Sequence, residues 1–136
     1  GEHVATVTTS LFCRTEGGFG GPGAGAPRPH PTPTRAPDFS IDFATRPDQA
    51  LLYRLSGDAN PLHADPDLAL QSGFDRPILH GLCTFGFACR AVLAKVADYD
   101  PDRILSHQAR MSAVVYPGDT LSFDLWRDGK QIACGA

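Results

Sequence analysis

The sequence predicts an α+β fold in which an antiparallel sheet curls round one long helix, and three observations carry that prediction. Residues 81–97 hold apolar side chains at spacings of three and four with almost no charge, as expected of a largely buried helix. Residues 39–43 alternate apolar and polar side chains, which is the period of a strand. Residues 104–115 and 120–127 alternate or are rich in β-branched types. One buried helix followed by several such strands is typical of the α+β class.

The N-terminal part of the chain predicts a strand followed by a linker. Residues 3–13 alternate and are dominated by β-branched types, so we expect a strand there. Residues 14–37 break every periodic pattern, because a glycine-rich stretch gives way to one rich in proline. A connection longer than about twenty residues is unusual inside one compact domain. We therefore expect the residues before it to belong to a different structural unit.

Two short helices are predicted on either side of a turn. Residues 47–56 begin at a proline suited to the first helical turn and are followed by Gly57, a residue type common just beyond a helix end. Residues 65–73 begin with Asp-Pro and also end at a glycine. The segment Asp58–His63 therefore lies in the turn between them. His80, just before the long helix, is expected only to cap or pack at its entrance.

Two further turns order the C-terminal strands. Residues 116–119 read Tyr-Pro-Gly-Asp, a strong turn sequence between the two longer strand candidates. Asp128 and Gly129 mark a tight hairpin into residues 131–134. The last strand stops after only a few residues, which predicts that the chain is truncated at its C-terminal end.

The composition excludes several function classes. A formal net charge of −3 over 136 residues leaves no basic patch for nucleic acid. No apolar run approaches the roughly 20 residues needed to cross a bilayer, and the amino end lacks a secretory signal pattern. The four cysteines form no CxxC pair, which favours a reduced protein in the cytoplasm. Without a phosphate loop, flavin motif or metal-ligand cluster, we expect no cofactor and no metal.

The chemistry of the chain is concentrated in Asp58–His63. A carboxylate at Asp58, an amide at Asn60 and an imidazole at His63 can together hold a water molecule and move its protons, which suits hydration or its reverse. Pro61 fixes the backbone and forces Asn60 into an extended conformation, so the two ends of the turn can face one point. Taken singly, each residue also has a structural explanation. Asp58 and Asn60 could bond their own backbone, and His63 could be a surface or satisfied histidine.

These residues resemble a known family at several points. The run Tyr53–Ala69, with its Ser-Gly-Asp and Asn-Pro-Leu-His motifs, is similar to the signature of the MaoC-like (R)-specific enoyl-CoA hydratases, also called hydratase 2. The similarity continues through residues 73–74, 77–82 and 115–121, and covers roughly residues 39–127. The resemblance implies the hot-dog fold, a curled antiparallel sheet round a long helix, which agrees with the α+β class predicted above.

The resemblance also implies a domain organisation. Larger members of the family carry two hot dogs in one chain, and the first of them lacks catalytic residues. Residues 1–21 then correspond to the tail of a preceding non-catalytic hot-dog unit, and residues 22–37 to a Gly/Pro-rich linker. Residues 38–136 correspond to the catalytic hot-dog domain, truncated at its C-terminal end.

The implied reaction is reversible syn addition of water to a trans-2-enoyl-CoA, giving a (3R)-3-hydroxyacyl-CoA in fatty-acid metabolism. Asp58 and His63 match the catalytic pair of the family. One takes a proton from the water as it attacks the β-carbon, and the other delivers a proton to the α-carbon. Which of the two is the base stays open. Asn60 would orient the water or the carboxylate, and CoA enters as part of the substrate, so the resemblance also implies no cofactor.

Gly81 matches the family position whose backbone N–H binds the thioester oxygen. The physics supports this independently, because a glycine at a helix start offers an unpaired N–H at the positive end of the helix dipole. Met111 falls at a position that the family uses for a substrate contact, commonly as phenylalanine. The resemblance also places Ala59, Pro61 and Leu62 among the substrate-binding residues, because they lie within the same motif.

The resemblance leaves two alternatives to a hydratase and adds two expectations. A dehydratase acting on acyl-carrier or polyketide intermediates would share the same residues, and a non-catalytic acyl-binding hot-dog fragment would use only the fold. Acyl-CoA thioesters are the implied partners, with neither nucleic acid nor membrane, and the fold habit implies a homodimer. Family analogy also allows a peroxisomal location.

Overall fold

The computed structural model describes residues 1–9, 17–20 and 31–136. They divide into two compact units, Gly1–His30 and Pro31–Ala136. Among these described residues, every helix is too short or too polar to span a lipid bilayer.

The first unit differs from the sequence-based prediction. Residues 1–9 are exposed and contain no strand, so the strand predicted over residues 3–13 is wrong for its described part. A strand requires a neighbouring chain to pair its backbone groups, and β-branched composition alone does not supply one. The rest of that predicted strand lies outside the described residues, as do residues 22–30 of the predicted linker. The three-part domain organisation stays a prediction.

The second unit combines an antiparallel sheet with one long helix. Residues 31–136, which the structure describes without a gap, form a sheet of three strands in sequential order. Ile41 lies opposite Phe123 in the first pair of strands. The elements in chain order are β1 (Phe39–Ala44), α1 (Gln49–Tyr53), α2 (Pro66–Gln71), α3 (Gly81–Lys95), β2 (Thr120–Asp128) and β3 (Gln131–Gly135), with 3-10 helices at Arg54–Ser56, Pro61–His63 and Pro101–Arg103.

Most of the predicted elements are confirmed. The strands predicted at 39–43, 120–127 and 131–134 are β1, β2 and β3. Both predicted turns are present. The N–H of Asp119 donates to the Tyr116 carbonyl at 3.0 Å, and Gly129 has the positive φ of 58° that a tight hairpin uses. The helices predicted at 47–56, 65–73 and 81–97 are α1 with its following 3-10 turn, α2 and α3.

The strand predicted over residues 104–115 is wrong. This segment contains neither strand nor helix, and its backbone bends at Leu105 and Ala113. It passes along α3 instead, where the His107 ring lies 4.1 Å from that of Phe85 and its Nε2 is 3.2 Å from the Phe85 carbonyl oxygen. Strand propensity reports how well a side chain fits a pleated, half-buried surface, and a strand still needs a partner with free backbone groups.

The main core lies between α3 and the sheet. Ala91 on the helix packs with Leu121 and Phe123 on β2, and Ile41 and Phe43 of β1 join them as half-buried neighbours. The alternation predicted for β1 is therefore confirmed. The expected burial of α3 is only partly observed, because a three-stranded sheet covers one side of a helix. Only Cys83 and Ala91 are fully buried on α3, whereas Leu82 is 65% exposed.

A buried threonine joins β1 to the turn before β2. The Thr45 hydroxyl donates to the Asp119 carbonyl at 2.7 Å and accepts the N–H of Gly118 at 2.9 Å. Thr45 is 5% exposed, so these bonds satisfy polar groups that water cannot easily reach. The turn is thereby fixed beside α1, close to the residues that form the candidate site.

Candidate active site

The turn from Asp58 to His63 is shaped by its own polar side chains. Gly57 ends the preceding 3-10 helix with a φ of 111°, a conformation that side chains other than glycine rarely adopt. Asp58 Oδ1 accepts the N–H of Asn60 at 3.3 Å, and Asn60 Oδ1 accepts the N–H of Leu62 at 3.0 Å. Asn60 thus caps the 3-10 helix that ends at His63, in the extended conformation expected before a proline.

His63 is buried and held in one orientation. It is 9% exposed, and its Nδ1 lies 2.8 Å from the main-chain carbonyl oxygen of Ile78. A carbonyl oxygen can only accept, so Nδ1 carries the proton and donates it. In the neutral ring, Nε2 is therefore left with a free lone pair that can take a proton from water.

A second histidine completes a cluster of three titratable side chains. Asp58, His63 and His80 each place a polar side-chain atom within 4.8 Å of the others. The rings of His63 and His80 are stacked, with their centroids 3.7 Å apart and their planes at 27°. His80 Nε2 donates to the main-chain carbonyl of Asp58 at 3.2 Å. The sequence-predicted pair of Asp58 and His63 is thus close in space, and His80 joins it.

His80 is almost completely enclosed. It is 1% exposed, and its ring also lies 4.8 Å from that of Tyr53. It occupies the position before α3 and makes no side-chain cap there, so the expectation that His80 caps or packs at the helix entrance is confirmed through packing. Burial lowers the pKa of His80, the bond to Asp58 opposes the shift, and the charges of His63 and Arg54 add to it.

The same three residues are a poor match for a bound metal ion. Imidazole nitrogens coordinate a metal along lone pairs that lie in the plane of the ring. Because the rings of His63 and His80 are stacked nearly parallel, their lone pairs do not converge on one point. The cluster is better suited to proton transfer than to metal binding.

A cleft of about 390 Å³ opens beside His63, with Gly81 also in its wall. Gly81 is the first residue of α3, so its N–H has no partner within the helix, and no protein acceptor bonds it in the described chain. A side chain at this position would point toward Met111, since a Cβ built on Gly81 would lie 3.4 Å from Met111 Cγ. The rest of the wall is largely apolar and includes Ile78 and Val115.

The predicted site residues are not all brought to this cleft. His63, Gly81 and Met111 line it. Asp58 lies beside His63 and is exposed, but neither it nor Asn60 belongs to the cleft wall. The remaining predicted substrate-binding residues, Ala59, Pro61 and Leu62, also lie off the described cleft.

A second, smaller cleft also has His63 in its wall. It has a volume of about 250 Å³ and includes Arg76 and Pro117. The Arg76 guanidinium lies 4.8 Å from the centre of the Tyr116 ring and 3.6 Å from Asp119 Oδ1. The sequence did not predict the contacts of Arg76 or the bond between His80 and Asp58, because the partners are distant in the chain.

Comparison with known proteins identifies close relatives. The profile of the family described as MaoC like domain matches residues 29–136. The enoyl-CoA hydratase ChsH3 of Mycobacterium tuberculosis is 46% identical over 127 residues, which is 93% of this chain and 44% of that protein. The peroxisomal multifunctional enzyme type 2 of Drosophila melanogaster is 53% identical over 135 residues, which is 97% of this chain and 23% of that protein.

A solved structure agrees with these matches. The crystal structure of a MaoC-like dehydratase from Phytophthora capsici superimposes with a TM-score of 0.82 at 41% identity. The superposition covers 89% of this chain and 41% of that one. The chain therefore spans less than half the length of each of these relatives.

Proposed function

Because this chain belongs to the family of MaoC-like domains, we propose that it takes part in the reversible addition of water to a trans-2-enoyl-CoA. The predicted hot-dog fold is confirmed by the structural match and by the long helix packed on an antiparallel sheet. The proposed product is a (3R)-3-hydroxyacyl-CoA, which makes the protein a hydro-lyase of fatty-acid metabolism. The relatives named as enoyl-CoA hydratase and peroxisomal multifunctional enzyme support this reaction class.

The observation that carries the proposal is the grouping of Asp58, His63 and Gly81. The polar side-chain atoms of Asp58 and His63 lie within 4.8 Å of each other, close enough to share one water molecule. His63 and Gly81 line the same cleft. The cleft therefore brings together a proton acceptor and a residue with an unpaired main-chain donor, as the addition of water to the double bond of an enoyl thioester requires.

The reaction can be written with these groups alone. The water oxygen forms a bond to the β-carbon as one of its protons passes to Asp58 or to His63 Nε2. The π electrons of the double bond shift toward the thioester, and the Gly81 N–H stabilises the negative oxygen that results. The α-carbon then takes a proton from the other member of the pair, which must enter the reaction protonated. The proton taken from water then passes from the base back to that member, which restores the starting state. Both groups act from one side of the substrate, which gives syn addition.

Each group supplies a recognised share of the rate. Positioned acid–base groups contribute on the order of 10²–10⁴-fold each. A main-chain donor to a developing oxyanion contributes roughly 10²–10³-fold where comparable donors were removed. The hydrogen bond from His63 Nδ1 to the Ile78 carbonyl supports the role of His63 as an acid–base group, because it leaves Nε2 as the nitrogen available to the water.

In this proposal, Asn60 acts by holding the turn in shape. Its Oδ1 already accepts the N–H of Leu62, and this bond holds the bend that brings the two ends of the motif together. Ala59, Pro61 and Leu62 likewise act by shaping that bend. Met111 forms the cleft wall opposite Gly81 and would contact the acyl group or the pantetheine arm.

Partners and location follow as proposals from the relatives. An acyl-CoA thioester is the proposed substrate and needs no further cofactor. We propose a homodimer, which light scattering on the purified protein would test. The Drosophila relative is named as peroxisomal, so fluorescence imaging of the tagged protein would decide between the peroxisome and the cytoplasm.

The experiment that tests the function compares carriers of the acyl group. The purified chain is incubated with trans-2-enoyl-CoA substrates of several lengths and with the same acyl groups on an acyl-carrier protein, and the loss of the conjugated thioester is followed. We expect turnover of the CoA substrates to a product of R configuration. Faster turnover on the carrier protein would instead favour a carrier-dependent dehydratase. A chain that melts cooperatively but turns over neither would be a non-catalytic acyl-binding fragment.

A further inference from the structure

Among the described residues of the site, His80 is a buried titratable side chain to which the proposed reaction gives no part. Its ring packs against the rings of both Tyr53 and His63. Its Nε2 is used by the Asp58 carbonyl, while its Nδ1 is buried and has no hydrogen-bond partner in the described structure. A buried polar atom without a partner is costly, so its retention requires an explanation.

The hydrogen bond from His80 is made to a part of the site that has few stabilising contacts of its own. Residues 58–60 are exposed and form no helix or strand. The other bond at Asp58 is local, because its carboxylate accepts the N–H of Asn60. His80 lies 22 residues after Asp58 in the chain, directly before the long helix α3. It therefore fixes the Asp58 main chain relative to the packed body of the fold.

His80 also limits the motion of the His63 ring. The bond from Nδ1 to Ile78 fixes one edge of that ring but still allows it to rock about the bond. The stacked face of His80 at 3.7 Å removes this freedom. A neutral His80 suits the role, because a charged ring would place a positive charge against His63 when that residue takes up a proton.

We propose that His80 is a positioning residue for the acid–base pair: its Nε2–H holds the Asp58 main chain, and its ring face holds the plane of His63, so that both groups meet the same water. This inference rests on the proposed function. His80 itself touches neither water nor substrate in the proposed mechanism, because it is 1% exposed and its ring packs against those of Tyr53 and His63.

Two substitutions separate the donor from the ring. His80→Phe keeps a flat ring against His63 but removes the donor to Asp58. His80→Gln removes the ring but carries an amide nitrogen at about the reach of Nε2. A misplacement of about 1 Å in a catalytic group can cost roughly 10²-fold in rate, so we expect kcat to fall by about that factor in the phenylalanine variant with KM little changed. The glutamine variant restores the donor but not the stacked ring, so its kcat should lie between those of the phenylalanine variant and the unmodified protein.

A double-mutant cycle shows whether His80 acts through Asp58. In an Asp58→Asn background, the carboxylate that His80 positions is already gone, so adding His80→Phe should cost less than about threefold more. An undiminished loss of about 10²-fold in that background would overturn the proposal. So would a glutamine variant no better than phenylalanine, or a phenylalanine variant with kcat near that of the unmodified protein.

A further readout does not depend on activity. Amide hydrogen exchange at Asn60 reports how firmly the Asp58 turn is held. We expect faster exchange in His80→Phe and an unchanged rate in His80→Gln, and equal exchange in the phenylalanine variant and the unmodified protein would contradict the proposal. If phenylalanine prevents folding, His80→Asn serves instead, because its shorter amide does not reach Asp58. An unmodified protein without turnover would refute the proposed function, while the exchange comparison would still test His80.

Discussion

Replacing Gly81 by alanine should separate the fold of this protein from its activity. Gly81 begins α3, and an added Cβ would meet Met111 Cγ at 3.4 Å and Sδ at 4.0 Å. The first distance is at the tight end of ordinary contact, and the neighbour is a flexible methionine that can move by a few tenths of an ångström. Alanine also favours a helix over glycine by up to about 1 kcal/mol. We expect the free energy of unfolding to change by less than about 1 kcal/mol.

The catalytic consequence should be much larger. The added methyl group would lie against Met111, which lines the same cleft as Gly81 and His63. In the proposed mechanism, the thioester oxygen approaches the Gly81 N–H in this cleft. Losing a donor of this kind costs roughly 10²–10³-fold in kcat. A partial obstruction should therefore lower hydration of an enoyl-CoA by at least about tenfold.

A second glycine of the same helix provides the control. An alanine Cβ at Gly86 would meet no atom within 4 Å, so Gly86→Ala should raise stability slightly and leave turnover unchanged. Both variants are compared by urea unfolding and by initial rates on the same enoyl-CoA. Equal turnover in Gly81→Ala and Gly86→Ala would refute the placement of the oxyanion donor at Gly81.

Three further predictions concern stability. Thr45→Val keeps the side-chain shape but removes both hydroxyl bonds, so the N–H of Gly118 loses its partner while the Asp119 carbonyl keeps only the main-chain N–H of residue 45. Urea unfolding should show a loss of about 1–3 kcal/mol, and no loss would contradict the prediction. Phe123→Ala removes a side chain that is 1% exposed and should cost about 3–5 kcal/mol, whereas a loss below about 1 kcal/mol would contradict the core packing. Because folding lowers the pKa of His80 from 6.5, the unfolded state binds more protons below that pH, so stability should fall as pH drops through 6.5. His80→Gln should make this fall shallower, and equal pH slopes would contradict the assignment.

The elements predicted well are those whose signals are local. The spacing of apolar residues in α3 and the alternation in β1 each lie within one element, so sequence alone located both to within two residues. The turn before β2 was predicted because its Pro-Gly-Asp run favours a turn in almost any context. The α+β class followed from the order of these elements.

Segments whose structure depends on distant partners were predicted less well. Residues 104–115 have strand-like composition, yet no strand forms, since pairing depends on what lies beside them. The apolar surface of α3 predicted that most of the helix circumference is buried, but Leu82 is 65% exposed, because burial depends on how many strands cover the helix. Periodicity describes one element and not its neighbours.

The same distinction applies to the site. Asp58 and His63 could be paired from the sequence because one short turn contains both, and Gly81 because a helix start identifies its N–H. The relation of His80 to Asp58 could not, since 22 residues separate them. The only sign in the sequence that His80 belongs to the site was its setting. Like His63 in the motif, His80 has apolar neighbours, and it stands directly before a helix.

The most direct test of the central claim is the hydration rate of Asp58→Asn and of His63→Ala on trans-2-enoyl-CoA. Asp67→Asn, which changes an exposed aspartate in the first turn of α2, serves as the matched control. Each site variant should lose roughly 10²–10⁴-fold in kcat while melting as a folded protein, and the control should keep its activity. Turnover by either site variant within a few-fold of the control would show that the two side chains do not act together on the water.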